Sequence, residues 1–340
     1  MDRRKILVIR AEAIGDVFLA SGAVPAIKKT HPDCEIVFCT RHQSILQNIP
    51  DVRCTNVDQV DKNEYDAVYD LDLCYELNPT ISIFQSIANV VHTDVDEIRP
   101  RVFLSSAEVA AAKETLKKQG ICENEIIIAL QSSTGFWARN ISDKVLNNIT
   151  GLFLGNPSVR LIHLGSKDDM ALRGVTDFRG ILVLRESIAV LSLCSAFIGV
   201  DSSLLHIAKS FQIPSLSFWG AVHPVLRVRS NPRDLEVVTG IPCAFCHHRQ
   251  SMPAFITVCY MQGPILFLLD KLWQSTWRKI YMGTGRYFIR ANVLSRLLRL
   301  REKGKCIPLC MKWFEERELP NNVTQWIRSI LTNSSKPFNE

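Results

Sequence analysis

The sequence lacks the glycine-rich loop that marks a dinucleotide-binding α/β protein. Where the first strand-like run, residues 5–9, gives way to a helical pattern, the turn contains one glycine, Gly15, followed directly by Asp16. A G-x-G-x-x-G loop uses its glycines to let the backbone approach a pyrophosphate, and a carboxylate is a poor neighbour for a phosphate. This absence disfavours a Rossmann dehydrogenase, and the turn at Gly15-Asp16 must serve another purpose.

The chain also lacks a long hydrophobic run. Its longest uncharged stretch, 250–269, is broken by Pro253 and by Gly263-Pro264, so no transmembrane helix is predicted. The apolar run near the start covers only Ile6 to Ile9, which is too short for the core of a signal peptide. We therefore expect a cytoplasmic protein whose eleven scattered cysteines are reduced thiols.

Charge of one sign is in small excess. The 40 lysines and arginines against 34 acids give a net charge of +6, which is too small to indicate a nucleic-acid partner. Apolar residues make up 47% and charged residues 22%, as in an ordinary globular enzyme, and 340 residues suffice for two domains with separate cores.

Short apolar runs alternate with segments of helical periodicity, which is typical of parallel sheets covered by helices. Strands are predicted at 5–9, 35–40, 65–72, 126–133, 159–166, 180–184, 196–201 and 214–220. Helices are predicted at 16–29 with a kink at Pro25, near 80–91, and at 142–154, 186–195 and 203–211. The pattern predicts an α/β protein with two Rossmann-like domains at 1–122 and 123–270, their parallel sheets facing a cleft, and a separate segment at 271–340.

Polar residues follow several of the predicted strands, at the sheet edge where such folds bind ligands. They are Asp16, Ser132, Ser133, Thr134, Gly165, Ser166, Asp201, Ser202 and Ser203, with His206 in the helix after the last three. An Asp-Ser-Ser run at a helix start offers backbone N–H groups and the positive end of the helix dipole, which suit a diphosphate. Ser202 as a plain helix cap is an equally good interpretation of the same residues.

Two motifs carry a resemblance to a known family. The opening "KILVIRAEAIGDVFLASGAVPAIKKTHPDCEIVFCT" and the later "AFIGVDSSLLHIAKSFQIPSLSFWGAVHP" stand in the order and at the spacing found in glycosyltransferase family 9, the ADP-heptose:lipopolysaccharide heptosyltransferases. The chain resembles this family over about 1–60 and 125–265. The resemblance implies a GT-B architecture, in which the C-terminal domain binds a nucleotide-sugar donor and the N-terminal domain receives the acceptor.

The resemblance also implies roles for the site residues. Asp16 would be the general base that takes the proton of the acceptor hydroxyl in an inverting transfer that needs no metal. The alternative for Asp16 is the N-cap of the helix at 16–29, and that for His206 is a core histidine. The donor-binding residues would be Ser132, Ser133, Arg139, Gly165, Asp201, Ser202, Ser203 and His206. Arg139 would stabilise the charge of the leaving diphosphate, with a surface arginine as the alternative.

The expected function is therefore transfer of a sugar, a heptose by resemblance, from a nucleotide diphosphate to a hydroxyl of a lipopolysaccharide core or another cell-surface glycan. Three features depart from the family pattern. Ser203 replaces the usual glycine, "RNI" at 139–141 replaces R/K-x-W-P, and the stretch 72–104 is short. These departures leave a rival interpretation open, a non-catalytic protein that binds a nucleotide sugar or a membrane. A heptosyltransferase that modifies proteins is a further alternative.

The last third of the chain contains two further signals. Cys243, Cys246 and Cys259, with two histidines between them, are weak candidates for a structural zinc or iron site, and reduced thiols are the simpler interpretation. From 271 to 305 ten lysines and arginines stand against one acid, with aromatic residues among them. A basic amphipathic helix of this kind fits an anionic membrane surface, or an apolar face that docks on the protein itself. No nucleic-acid motif accompanies the charge.

Overall fold

The computed structural model describes residues 3–135, 139–242, 244–245 and 309–333. Among these residues ten strands form two sheets, and every pair of neighbouring strands is parallel. The strands of the first sheet are β1 (Lys5–Ile9), β2 (Glu35–Cys39), β3 (Val52–Thr55) and β4 (Ala67–Asp70). Those of the second sheet are β5 (Ile126–Leu130), β6 (Val159–His163), β7 (Thr176–Asp177), β8 (Ala196–Val200), β9 (Ser215–Trp219) and β10 (Leu235–Val238).

Helices connect the strands. The described α-helices are α1 (Ile14–Ser21), α2 (Val24–Thr30), α3 (Ile83–Val91), α4 (Ser106–Lys118), α5 (Asp143–Gly151), α6 (Leu184–Ser192), α7 (Ser203–Ser210), α8 (Leu309–Lys312) and α9 (Asn321–Asn333). Single 3₁₀ turns lie at Gln43–Leu46, Val57–Gln59, Lys62–Glu64, Val95–Glu97 and Pro224–Leu226.

The strand order of both sheets is that of the Rossmann fold. The second sheet runs β7-β6-β5-β8-β9-β10, the full order of six strands, and the first runs β3-β2-β1-β4, the same order without its last two strands. The direction of winding therefore reverses between β5 and β8 and between β1 and β4. Ligands bind beyond the carboxyl ends of the strands at these two places. The two predicted Rossmann-like sheets are confirmed, and the boundary at 122/123 stays a prediction.

The single kinked helix predicted at 16–29 is wrong, because the chain forms two helices there. α1 ends at Ser21 and α2 begins at Val24, so Pro25 lies in the first turn of α2, where its missing N–H costs no helical hydrogen bond. Gly22 lies between them against the Pro100 ring, and a Cβ at this position would be 2.7 Å from the Cδ atom of Pro100.

The strand predicted at 180–184 is also wrong. Gly180 adopts φ +63°, a conformation that favours glycine and that turns the chain, and Ile181 and Val183 are 66% and 64% exposed. The backbone N–H of Val183 donates to the Glu186 side chain, so this run leads into α6. Sequence analysis missed three short strands of the sheets, β3, β7 and β10.

One apolar core joins the two sheets. Side chains from β1 and α1 in the first half belong to the same buried cluster as side chains from α6 and α7 in the second half. The opposite face of the second sheet packs against α5 and against the C-terminal helices through residues such as Met311, Phe314 and Trp326. The basic segment 271–305 lies outside the described residues.

Within the part of the chain that the structure describes, no helix combines the length and the apolar character that a membrane crossing requires.

Candidate functional site

The turn after β1 presents Asp16 at the edge of the first sheet. Ala13 is the N-cap of α1, with φ +65°, and its backbone oxygen accepts from the N–H groups of Asp16 and Val17. Asp16 is the third residue of the helix, so the alternative in which it is the N-cap is wrong. Its side chain is 23% exposed, which leaves the carboxylate reachable from the cleft.

Arg10, the residue directly after β1, holds the Asp16 carboxylate. The Nη2 atom of Arg10 lies 2.9 Å from Asp16 Oδ2 and 2.6 Å from Glu76 Oε1. Burial alone would lower the pKa of Arg10, but the neighbouring carboxylates of Asp16 and Glu76 raise it well above its usual value. The guanidinium therefore carries a fixed positive charge behind Asp16.

The turn after β8 forms a second charged cluster. Asp201, whose side chain is 3% exposed, lies 3.2 Å from Arg139 Nη1 through Oδ2 and 3.2 Å from His206 Nε2 through Oδ1. Burial raises the pKa of Asp201, but the Arg139 charge and the hydrogen bond with His206 outweigh it and hold this pKa well below its usual range. Asp201 is thus an ionised carboxylate that fixes the positions of a cation and an imidazole.

Ser202 and Ser203 begin α7 beside this cluster. The Ser202 hydroxyl accepts from the backbone N–H of Leu205 at 3.1 Å, so Ser202 caps the helix. The dipole of α7 places its positive end at these residues. Arg139 donates to the carbonyl oxygen of Asp201 and forms an ion pair with its carboxylate, so it belongs to the cleft and is not a surface arginine.

The ends of β5 and β6 bring together the remaining predicted residues. Ser132 Oγ lies 3.4 Å from His163 Nε2, and burial and the charge of Arg179 lower the pKa of His163 to about 4, so the ring is neutral at pH 7. Ser133 donates a hydrogen bond to Asp169, which also accepts from the N–H of Ser166.

Gly165 closes this loop. Its φ of +151° favours glycine, and a side chain at this position would collide with the Asp169 carboxylate.

The two sheet edges meet at Gly15 and Ser203. A Cβ atom built on Gly15 would lie 3.4 Å from the Cα atom of Ser203, so the first turn of α1 rests on the first turn of α7. Beside them, the Arg227 guanidinium of the second half stacks on the Tyr75 ring of the first half, 4.3 Å from its centroid. Asp16 and Asp201 therefore lie in turns that face each other where the two sheets meet, and these turns form the two walls of the candidate cleft.

Sequence analysis missed several residues of this cleft, namely Arg10, Glu76, Tyr75, His163, Asp169 and Arg227. The sequence did contain an indication for Arg10, since a charged residue directly after a buried strand lies at a sheet edge. No sequence pattern indicates Glu76 or Arg227, because their positions depend on contacts with residues far away in the chain.

The metal candidates Cys243, Cys246 and Cys259 lie outside the described residues. Among the residues that are described, no group of three or more His, Cys, Asp or Glu side chains is arranged to hold a metal ion.

One segment of the chain matches a known protein family. Residues 168–254 match the family model of glycosyltransferase family 9 (heptosyltransferase). This segment of the chain is similar to family 9 glycosyltransferases. The match includes the Asp201 turn and α7 and does not reach Asp16. No curated protein sequence matches the chain closely enough to count as a relative.

Solved structures show that the chain has the GT-B fold. It is similar to a family 9 glycosyl transferase from Veillonella parvula, with a TM-score of 0.57 and 14% identity over 69% of this chain and 86% of that one. The chain is also similar to the Escherichia coli ADP-heptose LPS heptosyltransferase II, with a TM-score of 0.56 and 14% identity over 69% of this chain and 90% of that one. A third similar structure is the iron-containing dodecameric glycosyltransferase TibC from enterotoxigenic E. coli. Its TM-score is 0.64, with 15% identity over 97% of this chain and 77% of that one.

Proposed function

We propose that this protein is a family 9 glycosyltransferase that transfers a heptose from ADP-heptose to a hydroxyl group of a lipopolysaccharide core or another cell-surface glycan, with inversion and with Asp16 as the general base. The observation that carries the proposal is the approach of Gly15 to Ser203, which sets the Asp16 turn against the Asp201 turn. One of the solved structures with a similar fold is a heptosyltransferase in complex with an ADP-heptose. That likeness supports the choice of donor.

In the proposed reaction the acceptor hydroxyl lies against Asp16. Its oxygen attacks the anomeric carbon while its proton passes to the carboxylate, and the bond from the anomeric carbon to the diphosphate oxygen breaks. The leaving ADP takes that electron pair. A base on one wall of the cleft and a diphosphate on the other allow attack from the face opposite the leaving group, which gives inversion.

The second wall supplies the positive charge that the leaving diphosphate needs. Asp201 holds Arg139 in place, and α7 adds the positive end of its dipole. In this proposal Asp201 acts through Arg139 and His206 and does not contact the phosphates. Asp169 lies past β6, the second strand of the Rossmann order, where an acid binds ribose hydroxyls in related sheets. We place the donor ribose there.

The test is a titration of the purified protein with ADP-heptose, GDP-sugars and UDP-sugars by calorimetry, followed by a transfer assay. Acceptors are heptose-deficient lipopolysaccharide core and, separately, a protein acceptor, with products identified by mass spectrometry. We expect binding of ADP-heptose and transfer to the glycan. Failure of every donor to bind at millimolar concentration contradicts the proposal. Binding without transfer supports the non-catalytic alternative, and transfer only to protein changes the acceptor class.

Gly15 offers a test of the contact between the two walls. Alanine at this position adds a methyl group in ordinary van der Waals contact with Ser203, so Gly15→Ala should keep donor affinity and transfer near the wild-type values. The branched side chain of Gly15→Val needs space that Ser203 occupies, and the cost of overpacking should reduce transfer by about tenfold or more. Wild-type transfer by the valine variant, at an unchanged melting temperature, contradicts the described contact.

A further inference from the structure

We propose that Glu76 is a positioning residue for the general base, acting on Asp16 through Arg10. The inference rests on the proposed role of Asp16 and adds a residue that has no contact with either substrate in that role. It concerns how the base is oriented and how readily it accepts a proton.

The geometry is a chain of three side chains. Glu76 binds Arg10 with both carboxylate oxygens, Oε1 at 2.6 Å from Nη2 and Oε2 at 3.3 Å from Nη1. Nη1 also donates to the carbonyl oxygen of Leu71 at 2.9 Å. The same Nη2 atom donates to Asp16 Oδ2 at 2.9 Å. Glu76 and the Leu71 carbonyl thus fix the guanidinium plane from the β4 side. The hydrogen bond from Nη2 to Asp16 Oδ2 then sets the position of the Asp16 carboxylate.

The fold explains why these groups meet. Arg10 follows β1 and Glu76 lies in the connection after β4, and these strands are neighbours at the point where the first sheet reverses its winding. Arg10 and Glu76 are buried, with side chains 6% and 8% exposed, whereas Asp16 is partly open to the cleft. The buried pair therefore forms a rigid support beneath an accessible carboxylate.

The Arg10 guanidinium is shared between two carboxylates. The positive charge that would otherwise stabilise ionised Asp16 is therefore partly neutralised by Glu76. Burial first, and then the negative charges of Asp16 and Glu76, raise the pKa of the Tyr75 phenol well above its ordinary value. The other titratable or charged groups that face this cluster are Cys74, Tyr75, Arg139, Arg227 and Asp201.

The experiment compares Glu76→Gln and Glu76→Asp in the full chain, by the pH dependence of kcat/KM and by donor affinity. Loss of the Glu76 charge leaves Arg10 to Asp16 alone, so the acid limb of the Gln variant should move down by about one pH unit. Because a weaker base transfers protons more slowly, its kcat should fall at the plateau, by up to about tenfold. The Asp variant keeps the charge, and its acid limb should stay at the wild-type pH. Donor affinity should not change in either variant.

Glu125→Gln is the matched control. Glu125 also pairs with an arginine, Arg160, and its side chain is 10% exposed, but it precedes β5 at the sheet end opposite the cleft. The control should leave both the pH profile and kcat unchanged. If Glu76→Gln does not fold, Arg10→Lys decides, because a lysine keeps the charge but cannot serve both carboxylates in one plane. Its kcat should fall by about tenfold or more, with donor affinity retained.

The inference is overturned if the folded Gln variant keeps the wild-type acid limb and kcat, or if both Glu76 variants shift the limb equally. It is also overturned if Arg10→Lys keeps the wild-type kcat. The failure of the proposed function looks different, since transfer would then survive the loss of the Asp16 carboxylate itself.

Discussion

Replacement of Asp16 by asparagine should lower the rate of sugar transfer by a factor of about a hundred to ten thousand, the range that a positioned general base contributes. The asparagine side chain has nearly the same shape and keeps an oxygen that accepts from Arg10, but it cannot take up the proton of the acceptor hydroxyl. Donor affinity should stay close to that of the wild type, because the proposed donor site lies on the opposite wall of the cleft. Rates under saturating donor and calorimetric donor titration measure the two quantities separately.

The fold should tolerate this change. Arg10 keeps its two-oxygen contact with Glu76 and its bond to Leu71, so no buried charge loses its main partner. Asp58→Asn is a suitable control, since Asp58 pairs with Arg41 at 3.2 Å but is 69% exposed and outside the cleft. That variant should transfer at the wild-type rate. If Asp16→Asn transfers nearly as fast as the control, Asp16 is not the base, and the proposed mechanism must be abandoned.

The sequence was most informative about strands buried on both faces. β8 is buried at every position, and in a parallel sheet such a strand appears as an unbroken apolar run. β3 and β10 are edge strands with mixed burial, and nothing in their short runs separates them from a loop. The run at 180–184 is the converse case, since its apolar side chains are largely exposed and its glycine forms a turn.

The candidate site was predictable in its motifs and not in its pairings. Asp16 and Asp201 are visible because each follows a strand that the apolar pattern reveals. The partner of Arg10 is not visible, because Glu76 lies 66 positions further along the chain and reaches Arg10 only when β1 and β4 pair. The same holds for Arg139 and Asp201, which lie 62 positions apart and meet between β5 and β8. Such charge pairs depend on the sheet order, which no local pattern specifies.

Replacement of Asp201 by asparagine should destabilise the protein by about 3 kcal/mol, at the low end of the range for breaking a buried ion pair, since Arg139 is 24% exposed. The change leaves Arg139 without its carboxylate and weakens the contact with His206. Urea denaturation at pH 7 measures the loss. Arg139→Gln should cost a similar amount, and the double variant should cost less than the sum of the two because the pair is then removed as a unit. Strict additivity of the two losses contradicts a direct pairing.

The pH dependence provides an independent check on the same ion pair. In the folded protein the pKa of Asp201 lies well below its ordinary value, whereas in the unfolded chain it returns to about 4. The unfolded state therefore binds the proton first as the pH falls, and the stabilisation is complete above about pH 5 and is lost progressively below about pH 4. The difference in stability between wild type and Asp201→Asn should persist at pH 5 and shrink in acid. A difference that stays constant down to pH 3 means that packing, and not the Asp201 charge, holds the second wall of the cleft together.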